Sequence, residues 1–224
     1  MISLENLEIG YTTKKHTISV FKEISAQFNP GDLVGLMGDN GIGKSTLLKT
    51  ITGNLTPLHG KVILNNKNVT QYTAQELSRE LSIVVTEKLG GFNLTVWDIV
   101  ASGRTPYINV FGKLSTEDEA IVNRSLSLMN LQTLKHKLID ELSDGQRQKT
   151  MIAKSLAQQT QVIILDEPTA FLDYTSKHHL FSVLKQLCEE QQKIIIVSSH
   201  DLDLMKKYIN KSITLMEENK SEVL

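Results

Sequence analysis

Residues Gly38 to Ser45 read G-D-N-G-I-G-K-S and lie between an apolar run, Leu33–Met37, and a helix-like stretch, Lys44 to Thr52. The pattern G-x-x-x-x-G-K-[ST] carries meaning when a strand precedes it and a helix follows, and both flanks are present. A chance glycine-rich turn would need neither. Gly38, Gly41 and Gly43 allow backbone N–H groups to close on phosphate oxygens, where a Cβ would block the approach or forbid positive φ. The helix start adds partial positive charge. Lys44 can reach the β- and γ-phosphates, and Ser45 can place a hydroxyl on Mg²⁺. The expected ligand is a nucleoside triphosphate with Mg²⁺. What its hydrolysis drives is a separate question.

A second feature supplies the chemistry. Val162-Ile163-Ile164-Leu165 is an apolar strand ending in Asp166 and Glu167, with Pro168 stopping it. A buried parallel strand delivers its C-terminal end to the crevice where ligands bind. Asp166 is expected to hold Mg²⁺, and Glu167 to polarise the attacking water as general base. Strands alternating with helices along the chain imply an α/β fold with a parallel sheet. Residues 88–142 read as a mostly helical insert, opened by the loop Lys88–Phe92 and carrying a capping box at Thr116–Glu119. The tail Glu217–Leu224 reads as a frayed end.

Bulk properties narrow the setting. A formal net charge of −1 shows no basic excess that would attract nucleic acid. A single cysteine, Cys188, lies in a helical apolar pattern and reads as a buried thiol in a reducing compartment. No stretch approaches the roughly 18 apolar residues of a membrane span, and the N-terminus lacks a signal-like core. The expectation is a soluble, cytosolic chain. His178-His179 reads as a solvated helix face, and Trp97 as core of the insert.

Leu142-Ser143-Asp144-Gly145-Gln146 precedes another helix. Ser143 suits an N-cap, and with the Gly145 N–H and the helix dipole it forms an anion site. Within one chain it is expected to lie too far from the phosphate loop to complete it, whereas a second copy could supply it across an interface.

The order of these motifs resembles the ATPase subunit of an ABC transporter over essentially the whole chain. Gly38–Ser45 matches that family's Walker A, Leu142–Gln146 its signature loop and Ile163–Glu167 its Walker B strand. Ala170-Phe171-Leu172-Asp173 resembles the D-loop, and Ser199-His200-Asp201 the switch histidine. The resemblance implies a P-loop NTPase (RecA-like) core, residues 1–87 and 143–216, with an N-terminal antiparallel β-subdomain and an inserted helical subdomain. It implies that Tyr11 stacks on adenine and that Asn40 and Thr46 join the phosphate-loop contacts. It further implies that Ser143, Gly145, Gln146 and Asp173 serve the nucleotide of an opposing subunit in an ATP-sandwich homodimer. Two residues depart from the pattern. Asp144 stands where a second glycine is usual, and Glu87 replaces a glutamine that contacts Mg²⁺ and water. Glu87 still offers oxygens to a metal, with altered metal or nucleotide affinity expected.

Gly103-Arg104-Thr105-Pro106-Tyr107 is similar to a stretch in ATPases of iron–siderophore, haem and cobalamin importers. That resemblance implies a membrane permease met by this segment, a substrate-binding protein beyond it, and a place on the cytoplasmic face of the membrane. Other transport systems, exporters included, and non-transport ABC ATPases are the alternatives. A DNA- or ribosome-directed ATPase would need a long coiled coil or a tandem cassette. A GTPase would need Asn-Lys-x-Asp, and Asn66-Lys67-Asn68-Val69 lacks the Asp. A small-molecule kinase would have no use for Leu142–Gln146.

Overall fold

The computed structural model describes residues 1–13, 16–85, 93–108, 112–216 and, as backbone, 221–223. The N-terminal part pairs β1 (Ile2–Thr12) with β2 (Thr17–Phe28), and later with β4 (His59–Leu64), which carries the short β5 (Lys67–Asn68). These strands form an antiparallel sheet in the order β2-β1-β4-β5. Asn65 and Asn66 turn β4 into β5 with φ of 47° and 64°, a conformation asparagine tolerates.

Between those strands the chain crosses to the second sheet through β3 (Leu33–Met37), the phosphate loop and α1 (Lys44–Ile51). The chain continues through α2 (Ala74–Glu80), β6 (Leu81–Val84), α3 (Val96–Ala101), α4 (Thr116–Leu128), α5 (Asp144–Ala157) and β7 (Val162–Leu165). It ends with α6 (Tyr174–Gln191), β8 (Ile194–Ser198), α7 (Leu202–Tyr208), β9 (Lys211–Leu215) and β10 (Ser221–Val223). The second sheet has the order β10-β9-β3-β8-β7-β6. All its pairs are parallel except β10 with β9. The tail read as frayed thus contributes an edge strand at 221–223.

The unbroken apolar runs of β7 and β8 have a direct cause: they separate two cores. Val162, Ile164, Ile194 and Ile196 pack with the antiparallel sheet and α1, against Phe21, Phe28 and Leu47. Ile163, Leu165, Ile195 and Val197 face the helices, against Val100, Leu126, Ile152 and Phe181. A strand buried on both faces has no position for a polar residue until it ends.

Residues 93–142 carry α3 and α4, joined by 3-10 turns. The cap of α4 sits one residue earlier than expected. Ser115 is extended at φ −79° and ψ 165°, so its hydroxyl caps and Asp118, not Glu119, closes the box. Asp118 is thereby placed to meet Arg104 at 2.7 Å in a buried pair. Arg104 also donates to the Ala157 carbonyl and Gln159, and lies 4.2 Å from the Tyr107 ring centre. A Cβ built on Gly103 would come 2.3 Å from the Lys154 carbonyl. Arg104 therefore ties α4 and α5 together from inside, while Gly103 lets the chain pass close against α5. Only Tyr107 of that group is an exposed large apolar side chain.

His178 and His179 are not simply solvated. His178 Nδ1 lies 3.0 Å from the Tyr208 hydroxyl, and His179 Nε2 2.8 Å from the Leu128 carbonyl, fastening α6 to α7 and to the end of α4. Trp97 packs against the helical core as expected. Burial pushes the Cys188 thiol up to about 12, which suits an inert core residue. Among the described residues, no helix is long and apolar enough to cross a membrane.

Candidate functional site

β3 ends at the loop from Gly38, and α1 starts at Lys44 with Gly43 as its N-cap, at φ 120°. A Cβ on Gly43 would lie 2.6 Å from Val20 of β2, so both conformation and space demand glycine there. Gly41 differs: its φ is 78°, yet a Cβ would meet nothing within 4 Å. The room in front of Gly41 is left open by the fold and is of the kind a phosphate takes. Lys44, 6% exposed, turns its ammonium back onto the Gly38 and Asp39 carbonyls at 2.7 and 3.1 Å. The loop is thus held in its cradle shape by the residue that would contact phosphates.

β7, β8 and the phosphate loop converge on one cavity of about 210 Å³. It is lined by Asn40, Gly41, Gly43, Lys44, Ser45, Thr46, Asp166, Glu167 and His200. Parallel pairing of Leu165 with Val197 brings the ends of β7 and β8 side by side. Glu167 adopts φ 48°, a left-handed conformation costing a non-glycine residue roughly 1 kcal/mol or more. His200 Nε2 lies 2.9 Å from Glu167 Oε1, and among the described residues that buried oxygen receives no aligned hydrogen bond. Burial raises the Glu167 carboxyl; the charges of His200 and Lys44 oppose this, and Asp166 adds to it. An orphaned buried carboxylate oxygen beside a second carboxylate and the Ser45 hydroxyl fits a site that takes water and a hard cation.

Ser198 is a residue that the sequence reading missed. Fully buried at the end of β8, it donates to Asp166 Oδ1 at 2.6 Å and accepts the Glu167 N–H at 2.8 Å. The signal was present: two serines follow an apolar strand that must lie beside the strand ending in Asp166.

Gly38 lines the neighbouring cavity, which it shares with Ser199 and His200. Tyr11, 42% exposed, hydrogen-bonds Thr46 Oγ1 at 2.9 Å. That bond places its ring near the first turn of α1 but outside the cavity lining. Ser143, Gly145 and Gln146 are not among the cavity lining. Ser143 is exposed and caps α5, receiving the Gln146 N–H at 3.3 Å while Gln146 Oε1 accepts the Ser143 N–H at 3.1 Å. Gly145 is required for packing, since a Cβ would come 2.7 Å from the Phe171 carbonyl. Asp173 caps α6 by accepting the Ser176 N–H at 2.7 Å, which holds its carboxyl below the usual range. Glu87 and the loop Lys88–Phe92 lie outside the described residues.

The ABC transporter family profile matches residues 21–170. An uncharacterized ABC transporter ATP-binding protein of Methanocaldococcus jannaschii is 41% identical over 94% of this chain and 71% of its own length. The ferric enterobactin transport ATP-binding protein FepC of Escherichia coli is 33% identical over 95% of this chain and 77% of its own. Among solved structures, a putative metal-chelate type ABC transporter in an inward-facing conformation superposes with a TM-score of 0.84 at 29% identity. The match covers 100% of this chain and 82% of that one. A dimeric ATP-binding cassette in a post-hydrolysis state, bound to ADP and Pi, gives 0.85 at 25% identity over 99% and 98%. The chain belongs to the ABC transporter family. It is an ATP-binding ATPase subunit of that family, with the fold of its cassettes.

Proposed function

We propose that two copies of this chain close around two ATP molecules, and that closing and reopening drives a membrane permease importing an iron complex or cobalamin. The observation that carries the sandwich is the separation of parts. Lys44, Ser45, Asp166, Glu167 and His200 share one cavity, while Ser143 stands exposed at the start of α5 and outside it. In this reading the phosphate loop cradles the triphosphate, and Tyr11 lies beside the adenine. Ser45 and Asp166 hold Mg²⁺, with Glu87 as a further ligand. Mg²⁺ supplies neutralisation of charge on the β- and γ-phosphates. Glu167 takes the proton of the attacking water, with His200 close enough to sense the terminal phosphate and steady that carboxylate. The partner subunit's α5 start, through the residues equivalent to Ser143, Gly145 and Gln146, faces the same phosphate, with Asp173 at the shared interface. Bound γ-phosphate favours the closed state, and its loss reopens it.

The cargo assignment rests on relatives. Proteins named for achromobactin, ferric enterobactin, iron(3+)-hydroxamate and cobalamin transport match at 31–36% identity. In the native cell, deleting the gene should abolish uptake of one labelled iron chelate or of cobalamin, and Lys44→Ala should fail to restore it. Unchanged uptake of all of these would move the chain to another transport system.

A further inference from the structure

We propose that Ser198 is a positioning residue that sets the Asp166 carboxylate and the Glu167 backbone together, and so fixes how the site receives Mg²⁺. This rests on the ATPase reading of the cavity above.

The direction of both bonds follows from chemistry alone. A serine hydroxyl has one proton and two lone pairs. The Glu167 N–H can only donate, so Ser198 Oγ must accept at that 2.8 Å contact. Its single proton is then free for Asp166 Oδ1, at 2.6 Å. That length is typical of a charge-assisted O–H···O⁻ bond. One side chain thus restrains two consecutive residues of the neighbouring strand, one by its carboxylate and the next by its backbone.

The second restraint is needed because Glu167 is in the left-handed region at φ 48°. A side-chain acceptor on β8 offsets that conformation, and it aims the Glu167 carboxylate into the cavity. Ser199 cannot stand in. Successive side chains of a strand point to opposite sides, and Ser199 instead lies 3.2 Å from the Thr169 hydroxyl. With Ser198 fully buried, bulk water has no easy route to replace its hydroxyl.

The test compares the parent chain, Ser198→Ala and Ser198→Cys, the last offering a slightly larger side chain with a weaker donor. Binding of a non-hydrolysable ATP analogue is measured by calorimetry, with EDTA and with Mg²⁺, alongside ATP hydrolysis and thermal melting. In EDTA all three should bind alike. Ser198→Ala should lose about tenfold or more of the affinity that Mg²⁺ adds, with a fall in kcat of similar size, as for residues that orient metal ligands. Ser198→Cys should lie between, and carries the comparison if the alanine variant does not fold. A Mg²⁺ gain and kcat equal to the parent in folded variants would overturn the proposal. A parent chain that binds no analogue at all would instead overturn the ATPase reading beneath it.

Discussion

His200 Nε2 and Glu167 Oε1 stand 2.9 Å apart at the ends of adjacent parallel strands, beside Lys44 and Asp166. Burial raises the Glu167 carboxyl, and His200 is the strongest influence holding it down. In the proposed mechanism Glu167 is the general base and must be ionised, so the acid limb of kcat/KM should lie above the ordinary carboxylate value of 4.5. His200→Ala removes a lowering influence and should move that limb to higher pH as well as slowing turnover. A limb that stays in place or moves down in His200→Ala would show that the pair is not coupled.

Ser143 caps α5 and is not among the residues that line its own chain's cavity. Ser143→Arg should therefore leave ATP affinity of the monomer within about twofold, the loss of a cap being worth only about 1 kcal/mol of stability. Hydrolysis should fall to background, because an arginine side chain would obstruct the opposing site. Equilibrium binding and steady-state hydrolysis on the same preparation decide this; loss of monomer binding would place Ser143 in its own chain's site.

Asp118 is held at about 2 by the Ser115 hydroxyl and backbone and by Arg104, against an ordinary 3.8. A lowered carboxyl contributes stability above the unfolded value and loses it as pH falls through the folded one. The window is therefore about pH 4 to pH 2, with at most about 2–3 kcal/mol at stake. Asp118→Asn should lose stability by roughly 3 kcal/mol at neutral pH, since Arg104 stays buried with a partner missing. Its urea midpoint should depend less on pH across that window than the parent's does.

The phosphate loop, the carboxylates after β7 and the parallel sheet were legible because each is a local pattern with one physical use. An apolar run such as Ile194–Val197 must be buried on both faces, and a loop such as Gly38–Ser45 tolerates few other conformations. The buried role of Arg104 was not legible, because nothing local shows that Asp118 and the Ala157 carbonyl close around its side chain. His178 and His179 were misplaced for the same reason: their partners, Tyr208 and Leu128, are 30 and 51 residues away. Ser198 gains its meaning only from the register of β8 against β7. The α4 cap shifted by one residue because Ser115 and Thr116 both suit the position, and tertiary pairing through Asp118 selects Ser115.

The central claim is that each cavity is completed by a second copy, and Glu167→Gln tests it most directly. The amide keeps the shape but removes the base, so kcat should fall about 10²–10⁴-fold while Mg·ATP stays bound. Sedimentation with Mg·ATP should then show a species of twice the 25.1 kDa chain, reverting to the chain mass on exchange to ADP. A Glu167→Gln chain that binds Mg·ATP and still sediments at 25.1 kDa would contradict the account.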